Sequence, residues 1–366
     1  MQPLYISATR QDTGKTTVTL GLMEALRDLG KNVGYMKPVG QRYVQYLGLN
    51  VDEDAVLARE TFDLTDNPID MGPIAVERGF TERYIFNRDP APLEARILDS
   101  FGRLQAAHDI LVIEGTGHAG VGSCFDLSNA RVAEMLGAGV LIVTDGGIGR
   151  AIDEVALSLH LFRKHGVRVL GVVLNKVLAE KYEKVQRAVA EGLRHLDSRL
   201  LGALPYQEML VLPKMAQIVA ELPARVLCGE QALGNCAEHT VVAAMAPQHV
   251  CSHIQENTLV ITPGDRIDNI LISIVICPTE PGPPKRVAGL ILTGGFIPPP
   301  SIVSLLRVSG VPVLLCQGDT YSVASRLRDL VFKIRPEDTD KVEAAQTLIR
   351  RHIDVKELLD ALAAPA

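Results

Sequence analysis

The chain has 366 residues, enough for two ordinary domains, and its 47% hydrophobic and 22% charged residues are normal for a soluble protein with a well-packed core. The net charge of −6 argues against nucleic acid as the main partner. No apolar run reaches the roughly 18 residues of a membrane span, and the N-terminus lacks the pattern of a secretory signal. We therefore expect a cytoplasmic protein that binds neither nucleic acid nor membrane.

The first part of the chain alternates short β-branched runs with amphipathic helical stretches. Continuous apolar runs of strand length are typical of parallel strands that helices cover on both faces. The predicted strands are 3–8, 32–39, 109–115, 139–145 and 168–177. The predicted helices are 15–29, 91–107, 127–136, 151–165 and 181–196. This alternation predicts a doubly wound α/β domain with a mainly parallel sheet over residues 1–212.

The alternation of strands and helices ends after residue 215, where short strands follow one another. Two proline-rich segments, 277–285 and 297–301, mark loops. The predicted strands here are 224–229, 239–246, 258–264, 270–277, 288–294 and 311–317. We predict a second, smaller α/β domain over 217–334 and C-terminal helices over 335–366. Asp354 and Glu357 form a capping-box-like start for the last helix.

A phosphate-binding loop is predicted between the first strand and the first helix. Thr13 and the run Gly14-Lys15-Thr16-Thr17 supply the second half of the pattern G-x-x-x-x-G-K-[ST]. Such a loop points backbone N–H groups and a helix N-terminus at phosphate oxygens, while the lysine adds positive charge and the hydroxyl can bind Mg²⁺. Ala8 stands where the first glycine is usual, so we expect an intact but slightly distorted loop. The alternative is a plain strand-to-helix turn with a chance Gly-Lys pair.

Acidic residues occur at two other places that bear on this loop. Glu114 ends a predicted strand, at the carboxyl edge of the sheet where ligands of open α/β folds gather. Three acids open the stretch 52–60, and one of them could complete a magnesium site together with Glu114. The alternative for 52–60 is a solvated helix N-terminus that attracts acids through its dipole.

These motifs together resemble the dethiobiotin synthetase family and the related cobyrinate amidating synthetases. The segment "ATRQDTGKT" (8–16) matches the length of that family's loop, and further matching motifs are Lys37-Pro38-Val39, Asp54-Ala55, Glu114-Gly115 and Asn175. The resemblance implies a P-loop NTPase fold in which Thr16, Asp54 and Glu114 hold Mg²⁺ and Lys15 and Lys37 face phosphate. It also implies that the Asn175 amide reads the adenine base, whereas a buried, satisfied asparagine is the alternative.

Longer strings resemble the N-terminal regions of long bacterial phosphotransacetylases and free-standing proteins like them. They include "GFTERYIFN" (79–87), the segment 114–155 and "LPYQEML" (204–210). The second domain resembles the DRTGG domain through "VITPGDRIDNI" (260–270), "GLILTGG" (289–295) and "GDTYSVA" (318–324). Together these segments cover nearly the whole chain, and the resemblance implies a homodimer.

Two glycine-rich turns have open interpretations. The loop 115–123 after Glu114 could bind a carboxylate or phosphate with His118 as a donor, or its glycines could serve a tight crossing of the chain. In the second domain, Thr293-Gly294-Gly295 and Asp265-Arg266 could form a small anion or nucleotide pocket, or a plain turn.

The resemblance implies two functions. The first is an ATP-dependent ligase that phosphorylates a small carboxylate, which an amine then attacks, with Lys15, Lys37 and Mg²⁺ stabilising the transferred phosphoryl group. None of the six cysteines lies in a glutaminase elbow, so we do not expect glutamine-dependent amidation, and Arg10 and Gln11 replace residues of the synthetase loop. The second is a nucleotide-sensing regulator of a partner enzyme, expected if the chain lacks the phosphotransacetylase catalytic domain.

Overall fold

The computed structural model of the protein describes residues 2–275 and 286–364. These divide into two compact units by their internal contacts. The first unit comprises Met1–Leu210 together with Ile334–Ala366, and the second unit comprises Val211–Lys333. The last helices of the chain therefore belong to the first unit, after the second unit has been completed.

The strands are β1 (Leu4–Ala8), β2 (Val33–Met36), β3 (Val39–Gly40), β4 (Tyr43–Tyr46), β5 (Leu49–Asp52), β6 (Ile74–Ala75), β7 (Ile110–His118), β8 (Gly139–Asp145), β9 (Val169–Val177), β10 (Leu200–Pro205), β11 (Ala224–Cys228), β12 (His239–Val242), β13 (Thr258–Pro263), β14 (Val287–Thr293) and β15 (Val313–Cys316). The helices are α1 (Lys15–Asp28), α2 (Glu53–Thr61), α3 (Pro68–Met71), α4 (Phe80–Phe86), α5 (Ala91–Ala107), α6 (Asn129–Met135), α7 (Gly149–Lys164), α8 (Tyr182–Arg194), α9 (Met215–Glu221), α10 (Pro247–Cys251), α11 (Ile267–Ile274), α12 (Pro300–Ser309), α13 (Thr320–Asp329), α14 (Thr339–His352) and α15 (Val355–Ala363). Short 3₁₀ turns lie at Ser123–Phe125, Ala179–Lys181, Glu208–Leu210 and Glu230–Ala232.

The first unit is built on a six-stranded sheet in the order β10-β9-β8-β1-β7-β2. All of its strand pairs are parallel. The strands and helices predicted for residues 1–196 are confirmed, with boundaries that differ by a few residues. The edge strand β10 was not predicted, because its glycine and proline interrupt the apolar run. The first unit is thus a doubly wound α/β fold of the P-loop NTPase type.

The C-terminal helices complete one layer of this fold. Right-handed crossovers place α5, α6, α7 and α8 on one face of the sheet and α1 on the other. That arrangement would leave the α1 side of β8, β9 and β10 bare, and α14 and α15 cover it. Gly21 of α1 faces Ile349 of α14 so closely that a side chain there would collide with it, and Gly139 of β8 lies against Leu362 of α15.

The second unit contains a five-stranded sheet in the order β11-β15-β14-β13-β12. Its strand pairs are parallel except for the antiparallel pair of β11 with β15. This is the smaller α/β domain that the sequence predicts. Among the described residues of both units, no helix combines the length and apolar character that crossing a bilayer requires.

The predicted strand over 270–277 is wrong. Residues 267–274 form the helix α11 instead, and 276–277 lie outside the described residues. A short apolar run without alternation fits a buried helix as well as a buried strand. The sheet topology distinguishes the two possibilities, because β13 and β14 are parallel neighbours and a helix is needed to connect them. Asn269 of α11 fixes the helix by donating from its amide to the Ala243 carbonyl at 2.8 Å.

Candidate functional site

The loop between β1 and α1 has the backbone of a phosphate-binding turn. Gly14 is the N-cap of α1 with φ 88°, and Asp12 also has a positive φ, of 59°. Val18 N donates to the Gly14 carbonyl at 3.1 Å, so helical hydrogen bonding starts at the end of the loop. A glycine in the left-handed conformation at the start of a helix fits the backbone geometry of the predicted anion-binding loop. Gly14 is flanked by Thr13 on one side and by Lys15, Thr16 and Thr17 on the other, and the side chains of Thr13 and Thr17 are buried.

Two side chains from the end of β9 hold this loop. Asn175 Nδ2 donates to the Thr13 carbonyl at 2.8 Å, and Lys176 Nζ donates to the Asp12 carbonyl. Asn175 Oδ1 in turn accepts from Lys176 N at 2.9 Å. Asn175 is buried with its amide engaged by the loop backbone, which is the satisfied-asparagine alternative; the adenine role remains a prediction.

A second set of contacts ties the start of the loop to β8 and α7. Thr9 Oγ1 bonds to Glu154 Oε2 at 2.9 Å and to Thr144 Oγ1 at 3.0 Å, while Arg10 pairs with Asp145. Burial by itself raises the pKa of Glu154, but hydrogen bonds from Arg150 and Thr9 and the charge of Arg10 lower it overall. These partners are not predictable from the sequence, because no local pattern links positions so far apart in the chain.

The predicted metal ligands Thr16 and Glu114 are in contact. Thr16 Oγ1 donates to Glu114 Oε1 at 2.9 Å, and the Tyr35 hydroxyl lies 3.4 Å from Glu114 Oε2. Burial, with the nearby charges of Glu114 and Asp54, raises the pKa of Tyr35 well above its usual value. Tyr35 therefore stays a neutral hydrogen-bond donor that orients the carboxylate.

The predicted phosphate-facing lysine, Lys37, lies in a buried acidic cluster. Lys37 Nζ pairs with the Asp54 carboxylate and lies 3.3 Å from Asp52 Oδ1. Asp52 also caps α2 by accepting from Asp54 N at 3.0 Å, so the acids of 52–60 serve both a helix N-terminus and the cluster. Burial alone lowers the pKa of Lys37, but the carboxylates of Asp54, Asp52 and Glu114 outweigh it and raise that pKa. Lys37 is thus a permanent cation.

The chemistry of this cluster suits a divalent cation. Lys37, Asp52, Asp54 and Glu114 are all buried, and the Thr16 hydroxyl is in contact with the Glu114 carboxylate. Carboxylate and hydroxyl oxygens are the hard donors that Mg²⁺ prefers. Within the part of the chain that the structure describes, no group of three or more His, Cys, Asp or Glu side chains is arranged as a ready-made metal site. Thr16 and Glu114, with Asp54 held by Lys37, offer the oxygens that such an ion would need, and their role as metal ligands remains a prediction.

The glycine-rich loop after Glu114 is fixed by the buried side chain of Asn129. Asn129 Nδ2 donates to the carbonyls of Thr116 and His118 at 2.8 and 2.6 Å, and Tyr5 OH donates to its Oδ1 at 2.7 Å. Gly122 has φ 98°, and a side chain there would meet the Leu127 carbonyl. A tight crossing thus accounts for that glycine. His118 is exposed, and its Nδ1 lies 3.2 Å from Gly120 N.

The glycine turn that follows β14 in the second unit is held by hydrogen bonds to backbone carbonyls. Gly294 and Gly295 have φ 79° and 71°, and their amides donate to the carbonyls of Gly318 and Cys316 at 2.8 and 2.9 Å. Arg266 is engaged by Asp268 at 2.9 Å. These contacts are those of a plain turn.

Comparison with protein families gives two adjoining matches. A model of the family described as "AAA domain" matches residues 2–214, and a model described as "DRTGG domain" matches residues 217–330. The resemblance to a dethiobiotin synthetase-like P-loop domain followed by a DRTGG domain is confirmed.

Relatives that match nearly the whole chain are phosphate acetyltransferases. The protein of Nitratidesulfovibrio vulgaris is 30% identical over an alignment that covers 97% of this chain and 51% of the relative. That of Synechocystis sp. is 29% identical over 98% of this chain and 51% of the relative. The chain therefore spans about half the length of these relatives.

Solved structures similar to part of this chain include cell-division proteins. The MinC:MinD complex of Aquifex aeolicus matches 57% of this chain and 84% of that chain, with 16% identity and a TM-score of 0.39. MinD of Pyrococcus horikoshii with Mg-ADP matches 57% and 83%, with 18% identity and a TM-score of 0.37. These scores are too low to support an argument about function.

Proposed function

Since the chain belongs to the AAA domain family through its first unit and continues into a DRTGG domain, we propose that the loop of residues 9–17 binds Mg-ATP. The observation that carries the proposal is Gly14 in the left-handed conformation at the start of α1, with Thr16 in contact with Glu114. The start of α1 thus combines a helix N-terminus and a lysine with hard oxygen donors in contact beside it. Phosphates and a magnesium ion need that combination.

Each residue has a role in this proposal. Lys15 contacts the phosphates, Thr16 and Glu114 hold Mg²⁺, and Asp54 supplies a further carboxylate beside the ion. The ion neutralises charge on the phosphate chain. Lys37 compensates the buried carboxylates, and near a phosphate its charge would stabilise a transferred phosphoryl group. Asn175 and Lys176 keep the loop in its binding shape.

The use of the nucleotide that the resemblance favours is carboxylate activation. ATP would phosphorylate the carboxylate of a small acid, and an amine would then displace the phosphate. The loop lies at the carboxyl edge of a parallel sheet, where open α/β folds bind their ligands. The glycine-rich loop 115–123 lies after Glu114 at that same edge, within reach of a second substrate.

A second candidate is a nucleotide sensor that regulates a partner enzyme as a homodimer. One specific observation favours it: the similarity to phosphate acetyltransferases runs through nearly the whole chain, over the AAA domain and the DRTGG domain alike. Sensing would require ATP to bind two conformations with different affinity.

The test of nucleotide binding is calorimetric titration of Mg-ATP into the wild type, Lys15→Ala and the control Lys164→Ala. Lys164 is an exposed lysine at the end of α7, away from the loop. We expect Lys15→Ala to lose affinity by two orders of magnitude or more without a change in the circular dichroism spectrum. Wild-type affinity in a folded Lys15→Ala protein would refute the proposal.

The roles of metal and turnover are measured separately. Glu114→Gln should retain most of the nucleotide affinity and lose its dependence on magnesium concentration. Phosphate release is then followed with Mg-ATP alone and with a panel of dicarboxylates and amines. Release that rises with a substrate supports the ligase; tight binding with negligible release supports the sensor.

A further inference from the structure

A groove of about 1100 Å³ lies within the first unit, beside the edge strand β10. Its walls are the C-terminal end of α1, the first half of α8, the start of β10 and the turn between α14 and α15. Leu201 and Ile353 among its lining residues are buried apolar side chains. The turn is held in place by a bridge between Gly202 and Ile353. The volume is large enough for a small organic ligand.

Some of the charged side chains that line the groove have hydrogen-bond partners, and others do not. Arg350 bonds to Asp28 at 2.8 Å, and Asp354 caps α15 by accepting from Glu357 N at 3.0 Å. The remaining lining charges are three cations and one carboxylate, namely Arg187, Arg351, Lys356 and Glu183. All four are exposed, and within the described segments none of them has an ion pair or a side-chain hydrogen bond. With Arg350, Asp28 and Asp354 included, the lining has four cations and three carboxylates, an excess of one positive charge, and Arg187, Arg351 and Lys356 have no acidic partner among the described residues.

His352 is a further lining residue, and the positive charge of Arg351 acts on it. It is half-buried in the lining, and its Nδ1 lies 3.2 Å from the Tyr182 hydroxyl. Burial, and after it the charge of Arg351, lowers the pKa of His352 below its ordinary value. His352 is therefore neutral near pH 7. Because the Tyr182 hydroxyl donates to the Ala203 carbonyl, His352 Nδ1 donates to that hydroxyl, and His352 adds no positive charge to the groove.

The groove is separate from the nucleotide loop. α1 begins at Lys15 in the loop and ends at Asp28 in the groove. A helix of 14 residues is about 21 Å long at 1.5 Å per residue, so one ligand of ordinary size does not reach both places.

We propose that this groove is a second binding site, for a phosphate-bearing small molecule with an apolar body. Arg187, Arg351 and Lys356 bind the phosphate, because guanidinium groups offer paired donors that match phosphate oxygens. Leu201 and Ile353 contact the apolar part. The proposal stands on the groove alone and goes beyond the function proposed for the loop.

The experiment uses phenyl phosphate as the probe and ligand-observed NMR as the measurement. Lys15→Ala is the background, so that binding at the nucleotide loop does not contribute. The groove variant adds R187A, R351A and K356A to this background. The matched control instead adds K164A, K184A and R194A, which remove the same charge from exposed positions of α7 and α8 outside the groove.

We expect the groove variant to bind phenyl phosphate at least tenfold more weakly than Lys15→Ala, and the control to bind it unchanged. Equal binding by the groove variant and the control would overturn the proposal, as would no binding by the folded Lys15→Ala protein. Benzoate that binds more tightly than phenyl phosphate would overturn the phosphate assignment. Mg-ATP titration of the three groove substitutions with Lys15 intact reports on the nucleotide loop alone, so the two proposals fail separately.

Discussion

The two units have similar sheets and differ in what they bury. Both are α/β units whose central strands are parallel neighbours, and both have a glycine turn after a central strand. The first unit buries the charged residues Lys37, Asp52, Asp54 and Glu114 at one edge of its sheet. Among the described residues of the second unit, the buried polar side chains are all neutral: Gln217, Thr258, Thr262, Asn269, Ser273 and Thr293.

This difference indicates where the chemistry of the chain is concentrated. Burying a charge costs several kcal/mol before pairing offsets it, so a sheet that needs only stability has no use for such a cluster. Clusters of this kind are typical of sites that bind ions or stabilise charge during a reaction. The second unit is thus the simpler scaffold, and substitutions in the two units should differ in predictable ways.

The largest effect is expected from Lys37→Met. It removes the buried ammonium that pairs with the carboxylates of Asp52 and Asp54, so the free energy of unfolding of the first unit should fall by about 3–5 kcal/mol. Seven of the eight tyrosines lie in the first unit, so tyrosine fluorescence during urea denaturation follows that unit. The control in the second unit is Thr262→Val, which should cost only about 1 kcal/mol because Thr262 is neutral.

The double variant Lys37→Met/Asp54→Asn sharpens the comparison. Removing one carboxylate together with the lysine lowers the uncompensated charge, so part of the lost stability should return. A single variant as stable as the wild type, or a double variant less stable than the single one, would contradict the electrostatic explanation. Hydrogen exchange of backbone amides follows the second unit in the same samples.

The sequence predicted the loop and the sheet well because both depend on local patterns. The run from Thr13 to Thr17 follows an apolar strand and opens a helix, and Glu114 ends another strand. The contacts of Glu154 and Lys176 with the loop were not predicted, since they join positions that only the fold brings together. The packing of α14 and α15 against the sheet of the first unit was not predicted either. In the chain the whole second unit lies between that sheet and these two helices.

The second-largest effect is expected at two glycines, Gly14 in the loop after β1 and Gly295 in the turn after β14. Gly14→Ala and Gly295→Ala both force a side chain into the left-handed region, which costs about 1–2 kcal/mol. At Gly14 the new methyl group also meets the buried amide of Asn175, whereas at Gly295 it meets exposed Gln317, which can move. We expect Gly14→Ala to lose more stability and also Mg-ATP affinity, and Gly295→Ala to leave that affinity unchanged. Equal losses of affinity would argue against separate roles for the two turns.

A third, smaller effect is expected at Asn175. Its amide donates to the Thr13 carbonyl, so Asn175→Leu should loosen the loop and weaken Mg-ATP binding by about tenfold, which is about 1.4 kcal/mol. A positioning residue affects every nucleotide alike, so Mg-GTP affinity should fall by the same factor if the wild type binds it. Loss of ATP affinity alone would instead support direct reading of the adenine base. Titration of both nucleotides decides between the two.

The smallest effect concerns surface carboxylates, where the two units should behave alike. Arg88 binds Asp126 through two hydrogen bonds of 2.7 Å, and Tyr84 donates a third; these bonds lower the pKa of Asp126 from 3.8 to about 2. A depressed pKa means that this ionised carboxylate stabilises the fold above pH 3.8, and that the contribution disappears as the pH falls toward 2. Asp126→Asn keeps a residue that tolerates φ 61°, so it should be slightly less stable than the wild type at pH 7, and this difference should shrink as the pH falls toward 2. Asp319 of the second unit, whose pKa is lowered by hydrogen bonds from Ser322, should show the same convergence in Asp319→Asn. A difference between wild type and Asp126→Asn that persists unchanged at pH 2 would show that packing, and not charge, stabilises this contact.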